Sequence, residues 1–418
     1  MSEPSAQGRI ITFYSYKGGT GRSMALANVA WILASQGHRV LVIDWDLEAP
    51  GLHRYFQPFL EDPELASSPG LIDYFCEFAE ASRLAKHSLE QQSSDSTSSE
   101  SWHESYLSLL RYTYSLDAEF GDGTIDFVPA GQQGPGYALR VNGFNWQEFY
   151  ERLGGGVLLE GLKKRLRDDY HYVLIDSRTG ISDTSGVCTV QMPDDLVVLF
   201  TLNQQSVKGA AAVADSVSAQ RRRPSGAPSI RIWPVATRVE LAEKERLDEA
   251  RESARATFEV YLRRLLRADR ERYWGDTEVL YQPYFAYQEV LAVFVEQRRQ
   301  KASMLASFEA LTRLLTGTGE LGEVAAQDRE RALAPLKRVG SGTRPRAKKT
   351  MILFPWEDSA ATEPVARALL AKMGRGAIWW EVEEILPGDR WDEALTTAFH
   401  EAGSLLACFG PLWTQRDK

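Results

Sequence analysis

Over most of the chain, apolar residues come in short runs separated by amphipathic stretches. The run "IITFYSY" at 10–16 is β-branched and aromatic and predicts a buried strand. "RSMALANVAWILASQ" at 22–36 predicts a helix, with Gly37 placed to cap its C-terminus. "RVLVIDWD" at 39–46 predicts the next strand. Strand, glycine-rich turn, helix and strand make a βαβ unit, which implies a right-handed crossover and a parallel sheet. Apolar runs at 125–131, 172–177, 196–201 and 230–236 predict further strands, and helical patterns such as "EGLKKRLRDD" at 160–169 separate most of them. The expectation is a doubly wound α/β domain with a mostly parallel sheet over residues 1–317, closed by the helix "SMLASFEALTRLL".

Two segments break this pattern. Residues 88–102 are polar and low in complexity and read as a disordered surface loop. Residues 318–349 read as a charged linker, helical at first and mobile through "KRVGSGTRPRAKK". The alternation then restarts. "TMILFPW", "AIWWEVE" and "SLLACFG" predict three strands, with helices "ATEPVARALLAKM" and "WDEALTTAFHEA" and the turn "ILPGD" among them. Residues 350–418 are therefore expected to form a second, small α/β module, with one ring of the Trp379–Trp380 pair inward and one near the surface.

Composition narrows the class. The chain has 418 residues, 44% hydrophobic and 25% charged, which suits a soluble globular protein of two or three domains. A net charge of −9 argues against a protein coated in nucleic acid without excluding a local basic patch. The basic runs "QRRRP" at 220–224 and "RRLLRADRER" at 263–272 read either as solvated helix faces or as contacts for nucleic-acid phosphates. Cys76, Cys188 and Cys408 are far apart and odd in number, so a reducing compartment is expected. Neither a signal peptide nor an apolar run of about 20 residues is seen, and the expected location is the cytoplasm.

The chemistry concentrates in three stretches. "SYKGGTGRSMALAN" at 15–28 approaches the phosphate-loop pattern but departs twice, with Tyr16 at the first glycine position and Arg22 at the lysine position. Gly18, Gly19 and Gly21 let backbone N–H groups turn inward around phosphate oxygens at a helix N-terminus. Ser23, the first hydroxyl of the helix, is placed to ligate Mg²⁺. Arg22 keeps the charge of the usual lysine but brings a planar fork. "VIDWDLEAPGL" at 42–52 puts Asp44 and Asp46 at the C-terminal end of a strand, the edge where open α/β sheets bind ligands. Two acids side by side need a cation or a water network, which Mg²⁺ would supply; a solvated turn that caps the next element is the alternative. "YHYVLIDSRTGISD" at 170–183 ends a strand in Asp176, either a magnesium residue through water or an N-cap, with Gly180 in the turn beyond.

Together these stretches resemble the MinD/ParA family of deviant P-loop ATPases over roughly residues 9–317, with the arginine-bearing loop similar to a subgroup variant. The resemblance implies ATP and Mg²⁺ as cofactors, held by Lys17, Gly18, Gly19, Thr20, Gly21, Arg22 and Ser23, with Ser23, Asp44 and Asp176 on the metal side. It implies an ATP-dependent homodimer in which Lys17 reaches the partner's phosphates, and Asp46 as the residue that orients the attacking water. "VATRVE" at 235–240 and "QPYFAY" at 282–287 fall where the family builds its adenine pocket; Arg238 either stacks on the base or forms a surface salt bridge. Residues 350–418 resemble the first half of a TIR domain. The family's NAD⁺-cleaving glutamate lies on a helix that would begin where this sequence stops, and Glu381, Glu383 and Glu384 do not match it; the expectation is either a truncated version of a longer protein or a module that serves assembly or partner binding. The expected function is a slow, Mg²⁺-dependent ATPase switch controlling that module, in bacterial defence or signalling. The alternatives are a nucleotide sensor with negligible hydrolysis, a positioning ATPase on DNA or membrane, and an NADase.

Overall fold

The computed structural model describes residues 7–91, 104–180, 186–221, 230–241, 244–298, 300, 303–340, 350–353, 363–365, 367–369, 372, 378–380 and 404–407. The chain divides into two compact units, Met1–Leu333 and Ala334–Lys418.

The first unit is built on one eight-stranded sheet. Its strands are β1 (Arg9–Ser15), β2 (Arg39–Asp44), β3 (Tyr114–Ser115), β4 (Thr124–Val128), β5 (Tyr172–Asp176), β6 (Asp195–Phe200), β7 (Arg231–Val239) and β8 (Val279–Leu280). They lie in the order β3-β4-β2-β5-β1-β6-β7-β8, every pair parallel except β3 with β4. A parallel sheet is covered on both faces, so its strands are continuous apolar runs. β6 is buried at every position. The expected α/β class and mostly parallel sheet are therefore observed.

Strand ends differ from expectation where backbone chemistry intervenes. β4 stops at Val128 because Pro129 cannot donate to a ladder. β2 stops at Asp44, which leaves Asp46 on the following loop. β7 continues past Ala236 to Val239 and carries Arg238 at φ +52°. β3 and β8 are two residues each, too short for any periodicity to announce them.

Helix α1 (Arg22–Ser35) is buried at every position from Ala25 to Ala34. A helix apolar all round belongs inside a core. α1 lies against the sheet on one side and against the helix Met304–Thr316 on another. Trp31 packs among Phe59, Phe120 and Phe294, with ring centroids 5.0, 4.6 and 4.6 Å away. The buried Asn28 amide is satisfied: it donates to the Met24 carbonyl at 2.9 Å and accepts the Val293 N–H at 3.1 Å. Gly37 terminates the helix region at φ +84°, as expected.

Helices α2 (Leu71–Gln91) and α3 (Gly155–Asp169) contribute to an aromatic-rich core that includes Phe75, Phe78, Phe149 and Trp45. The expected polar loop at 88–102 thus opens as helix as far as Gln91; its remainder lies outside the described residues.

The first unit does not end near Gly317. Leu321 is fully buried, the Gly322 N–H donates to Ser35 Oγ at 2.8 Å, and the Glu119 N–H donates to Asp328 Oδ2 at 2.8 Å. These anchors hold the first part of the supposed linker onto the domain, where a helix Ala326–Gly340 begins. Residues 341–349 lie outside the described residues.

The second unit contains β9 (Thr350–Leu353), β10 (Ile378–Trp380) and β11 (Ser404–Ala407) in the order β10-β9-β11, all parallel. The first strand in sequence lies in the middle, the order with which flavodoxin-like sheets begin. The Trp379 and Trp380 side chains, Glu381, Glu383, Glu384, the "ILPGD" turn, the helix expected after it and Cys408 lie outside the described residues.

Candidate functional site

Three strand ends converge. β5 lies between β1 and β2, with Asp176 opposite Phe13 on one side and Asp44 on the other. The glycine loop leaves β1 and enters α1 beside these carboxylates. Gly19 and Gly21 take φ of +74° and +83°, a region that costs an L-residue about 1–2 kcal/mol. Gly18 takes no positive φ and faces open space. Gly21 is the N-cap of α1 and supplies no side-chain cap, so first-turn amides remain for another acceptor. Thr20 is buried, and its Oγ1 has no hydrogen-bond partner within the protein. Below the loop, the Tyr16 ring lies so close to Gly209 of helix α4 (Gln204–Gln220) that a Cβ there would fall 2.2 Å from it.

Arg22 is turned inward and is 7% exposed. Its Nε donates to Asp176 Oδ1 and its Nη2 to Asp46 Oδ2 at 2.8 Å, while Nη1 is buried without a partner within the protein. Ser23 Oγ donates to Asp176 Oδ2 at 2.5 Å. Asp44 accepts the N–H groups of Asp46 and Leu52, each at 3.2 Å, and so shapes the loop between them. Burial lowers the proton affinity of the Arg22 guanidinium, but Asp176 and Asp46 outweigh it and hold the group above its usual range. Burial pushes the Asp176 carboxyl up, and Arg22 and Ser23 offset only part of that. Asp44 is pushed well up by burial and then by Asp176 and Asp46. Three acids beside one guanidinium leave the site short of positive charge.

On the opposite flank of the loop, the Arg238 Nη1 donates to the Gly19 carbonyl at 3.0 Å, and its guanidinium lies 4.6 Å from the Tyr281 ring centroid. Arg238, Thr20, Tyr281, Gln282 and Phe285 line part of a cavity of about 260 Å³ that opens against the loop. Lys17 is half-buried on the outer side, where its Nζ donates to Gln205 Oε1 at the start of α4.

The family model described as the CobQ/CobB/MinD/ParA nucleotide binding domain matches residues 11–253, more than half of the chain. The chain belongs to this family. Similar solved structures include apo McdA of Cyanothece, 18% identical, covering 73% of this chain and 99% of that one with a TM-score of 0.48. MinD of Pyrococcus horikoshii complexed with Mg-ADP is 14% identical, covering 74% and 96% with a TM-score of 0.43. The cell division ATPase MinD of Pyrococcus furiosus is 16% identical, covering 73% and 99% with a TM-score of 0.43. No curated protein matches the chain.

Within this CobQ/CobB/MinD/ParA domain, Arg22, Ser23, Asp44, Asp46 and Asp176 meet in one cluster, and Arg238 stands at the far side of the loop from them. Arg238 forms a cation–π contact and a backbone bond there; no salt bridge to it occurs among the described residues. Tyr281 and Gln205 escaped sequence reasoning. Tyr281 directly precedes "QPYFAY" and carried its only signal there, whereas Gln205 is an ordinary helix-start residue.

A hard, all-oxygen donor set suits Mg²⁺, which keeps several waters and takes few protein ligands. Ser23 and Asp176 fit that description. Among the described residues, no group of three or more His, Cys, Asp or Glu has metal-holding geometry. In the basic runs Arg263, Arg267 and Arg272 are exposed, and three other arginines make contacts within the protein. Arg264 covers Trp233 at 4.1 Å, Arg270 pairs with Glu259 at 3.0 Å, and Arg221 donates to the Val190 carbonyl at 2.6 Å. Arg222 and Arg223 lie outside the described residues. Among the described residues, no helix is long and apolar enough to cross a membrane.

Proposed function

We propose that this chain is a cytoplasmic, magnesium-dependent ATP hydrolase that closes into a homodimer around its nucleotides and thereby brings its C-terminal modules together. The observation that carries the reading is the pair Thr20 Oγ1 and Arg22 Nη1, polar atoms buried in a glycine loop with no partner within the protein, at an uncapped helix start. Buried polar atoms left unpaired cost about 1–3 kcal/mol each, and phosphate oxygens would satisfy both. Gly18–Ser23 would surround the phosphates, and the base would enter the cavity beside Arg238 and Tyr281. Ser23 and Asp176 are the residues that would hold Mg²⁺, with Asp44 behind them; when bound, the ion neutralises phosphate charge. Asp46 would orient the attacking water. Lys17 would leave Gln205 for the partner's phosphates.

The strand order of the second unit supports a TIR-like module as the controlled element, with a defence or signalling role. NAD⁺ cleavage is not part of the proposal. One observation favours the second reading, a nucleotide sensor with negligible turnover: both oxygens of Asp46 are already engaged, by Arg22 and by the Ala49 N–H at 3.4 Å.

Calorimetry with ATP and Mg²⁺ is expected to give heat of binding, and light scattering to give dimers in ATP for the native chain but not for Lys17→Ala. Phosphate release over hours is expected to fall by about 10²–10⁴ in Asp46→Ala. Absence of binding heat would sink the proposal; binding without Asp46-dependent release would select the sensor.

A further inference from the structure

We infer that Arg22 is a positioning residue that, before nucleotide binds, ties the loop bearing Asp46 to the end of the strand bearing Asp176 and holds Asp46 back from the reacting water. The inference rests on the reading of residues 15–23 as a triphosphate site. Asp46 follows β2 and Asp176 ends β5, and both are held by a single guanidinium edge. Nε serves Asp176 and Nη2 serves Asp46, with all three residues buried. A lysine at position 22 would offer one nitrogen, able to serve both acids only where they converge on a point; the arginine fork spans them.

The clamp also silences Asp46. Its Oδ2 accepts from Arg22 and its Oδ1 from the Ala49 N–H at 3.4 Å, so a water can be oriented only through an oxygen already bonded and held in place. The remaining donor, Nη1, is the buried atom without a partner within the protein. An incoming phosphate oxygen can be met first by Nη1, and the pull of that anion on the guanidinium competes directly with Asp46. Occupancy of the loop and release of Asp46 thus become one event.

A second tie spans the same loops at the surface, Arg178 Nη1 to Glu48 Oε1 at 2.5 Å. An exposed pair of this kind contributes little, so the buried clamp is the governing contact.

The test is hydrogen exchange on the full chain without nucleotide, comparing the native protein with Arg22→Lys, Asp46→Asn and Arg178→Ala. Arg22→Lys and Asp46→Asn are each expected to speed exchange about tenfold in residues 45–52 and 176–180 together, and nowhere in α1 or β6. Arg178→Ala is expected to change it little. In Arg22→Lys, the ATP concentration for half-maximal turnover is expected to fall about threefold or more, because nucleotide no longer has to displace Asp46 to bind. Unchanged exchange in either segment, or faster exchange throughout the sheet, would overturn the clamp. Failure of the native chain to bind ATP would instead defeat the triphosphate reading and leave the exchange result standing.

Discussion

At the scale of single residues, two contacts show how narrowly the loop is supported. Tyr16 departs from the glycine that the phosphate-loop pattern wants, and its ring fills the space over Gly209. A Cβ at 209 would meet backbone-proximal ring atoms at 2.2–2.4 Å, so the tyrosine would have to move. For Gly209→Ala the two terms oppose. The helix gains about 1 kcal/mol from the better helix former, and overpacking costs about 1–3 kcal/mol. Thermal melting is therefore expected to shift only slightly downward, while ATP affinity by calorimetry falls about tenfold, or 1.4 kcal/mol, as Tyr16 displaces the loop. A fall in melting temperature with affinity unchanged would show that Tyr16 merely packs.

At the scale of elements, the short π-helix Val187–Gln191 is the fixed point beyond the Asp176 loop. Thr12 Oγ1 of β1 donates to the Cys188 carbonyl at 2.7 Å, Lys163 Nζ of α3 donates to the Gln191 carbonyl at 2.8 Å, and Arg221 adds a bond from the end of α4. Cations at carbonyl-rich helix ends are favourable. Thr12→Val keeps the shape and removes the donor, leaving a buried carbonyl unpaired. Urea denaturation is expected to report a loss of about 1–3 kcal/mol without a change in slope.

These elements also mark how far the sequence could be read. The βαβ start, the six longer strands and α1 were legible because each is a continuous apolar run bounded by glycine or charge. Asp44 and Asp176 were legible as strand-end acids, whereas Asp46 lies two residues past its strand; Arg238 and the 282–287 stretch were placed near the nucleotide only through the family resemblance. Two-residue strands carry no period, and the π-helix has no hydrophobic signature. That Arg22 would face two carboxylates was not legible, because nothing in "KGGTGRS" says which way a side chain leaves a helix start.

At the scale of the whole molecule, the boundary between the units is a matter of anchors more than of composition. Residues 318–333 read as charged linker, yet Leu321 is fully buried with its N–H donating to Glu309, the Gly322 N–H donates to Ser35 at the end of α1, and Asp328 accepts the Glu119 N–H. A chain ended after Leu333 is expected to melt with the first transition of the intact protein and to bind ATP equally well. One ended after Gly317 loses a fully buried leucine, worth about 2–5 kcal/mol in comparable truncations, and is expected to melt several degrees lower. Equal melting of the two would place the boundary back at Gly317.

The enclosure of α1 on every side has a further effect. A shaft packed between the sheet and the Met304–Thr316 helix cannot slide or rotate without breaking native-density packing around Trp31. The end that would receive an anion is therefore an anvil. A ligand seated there is expected to displace the loop after β2 and the turn after β5 before it displaces the shaft.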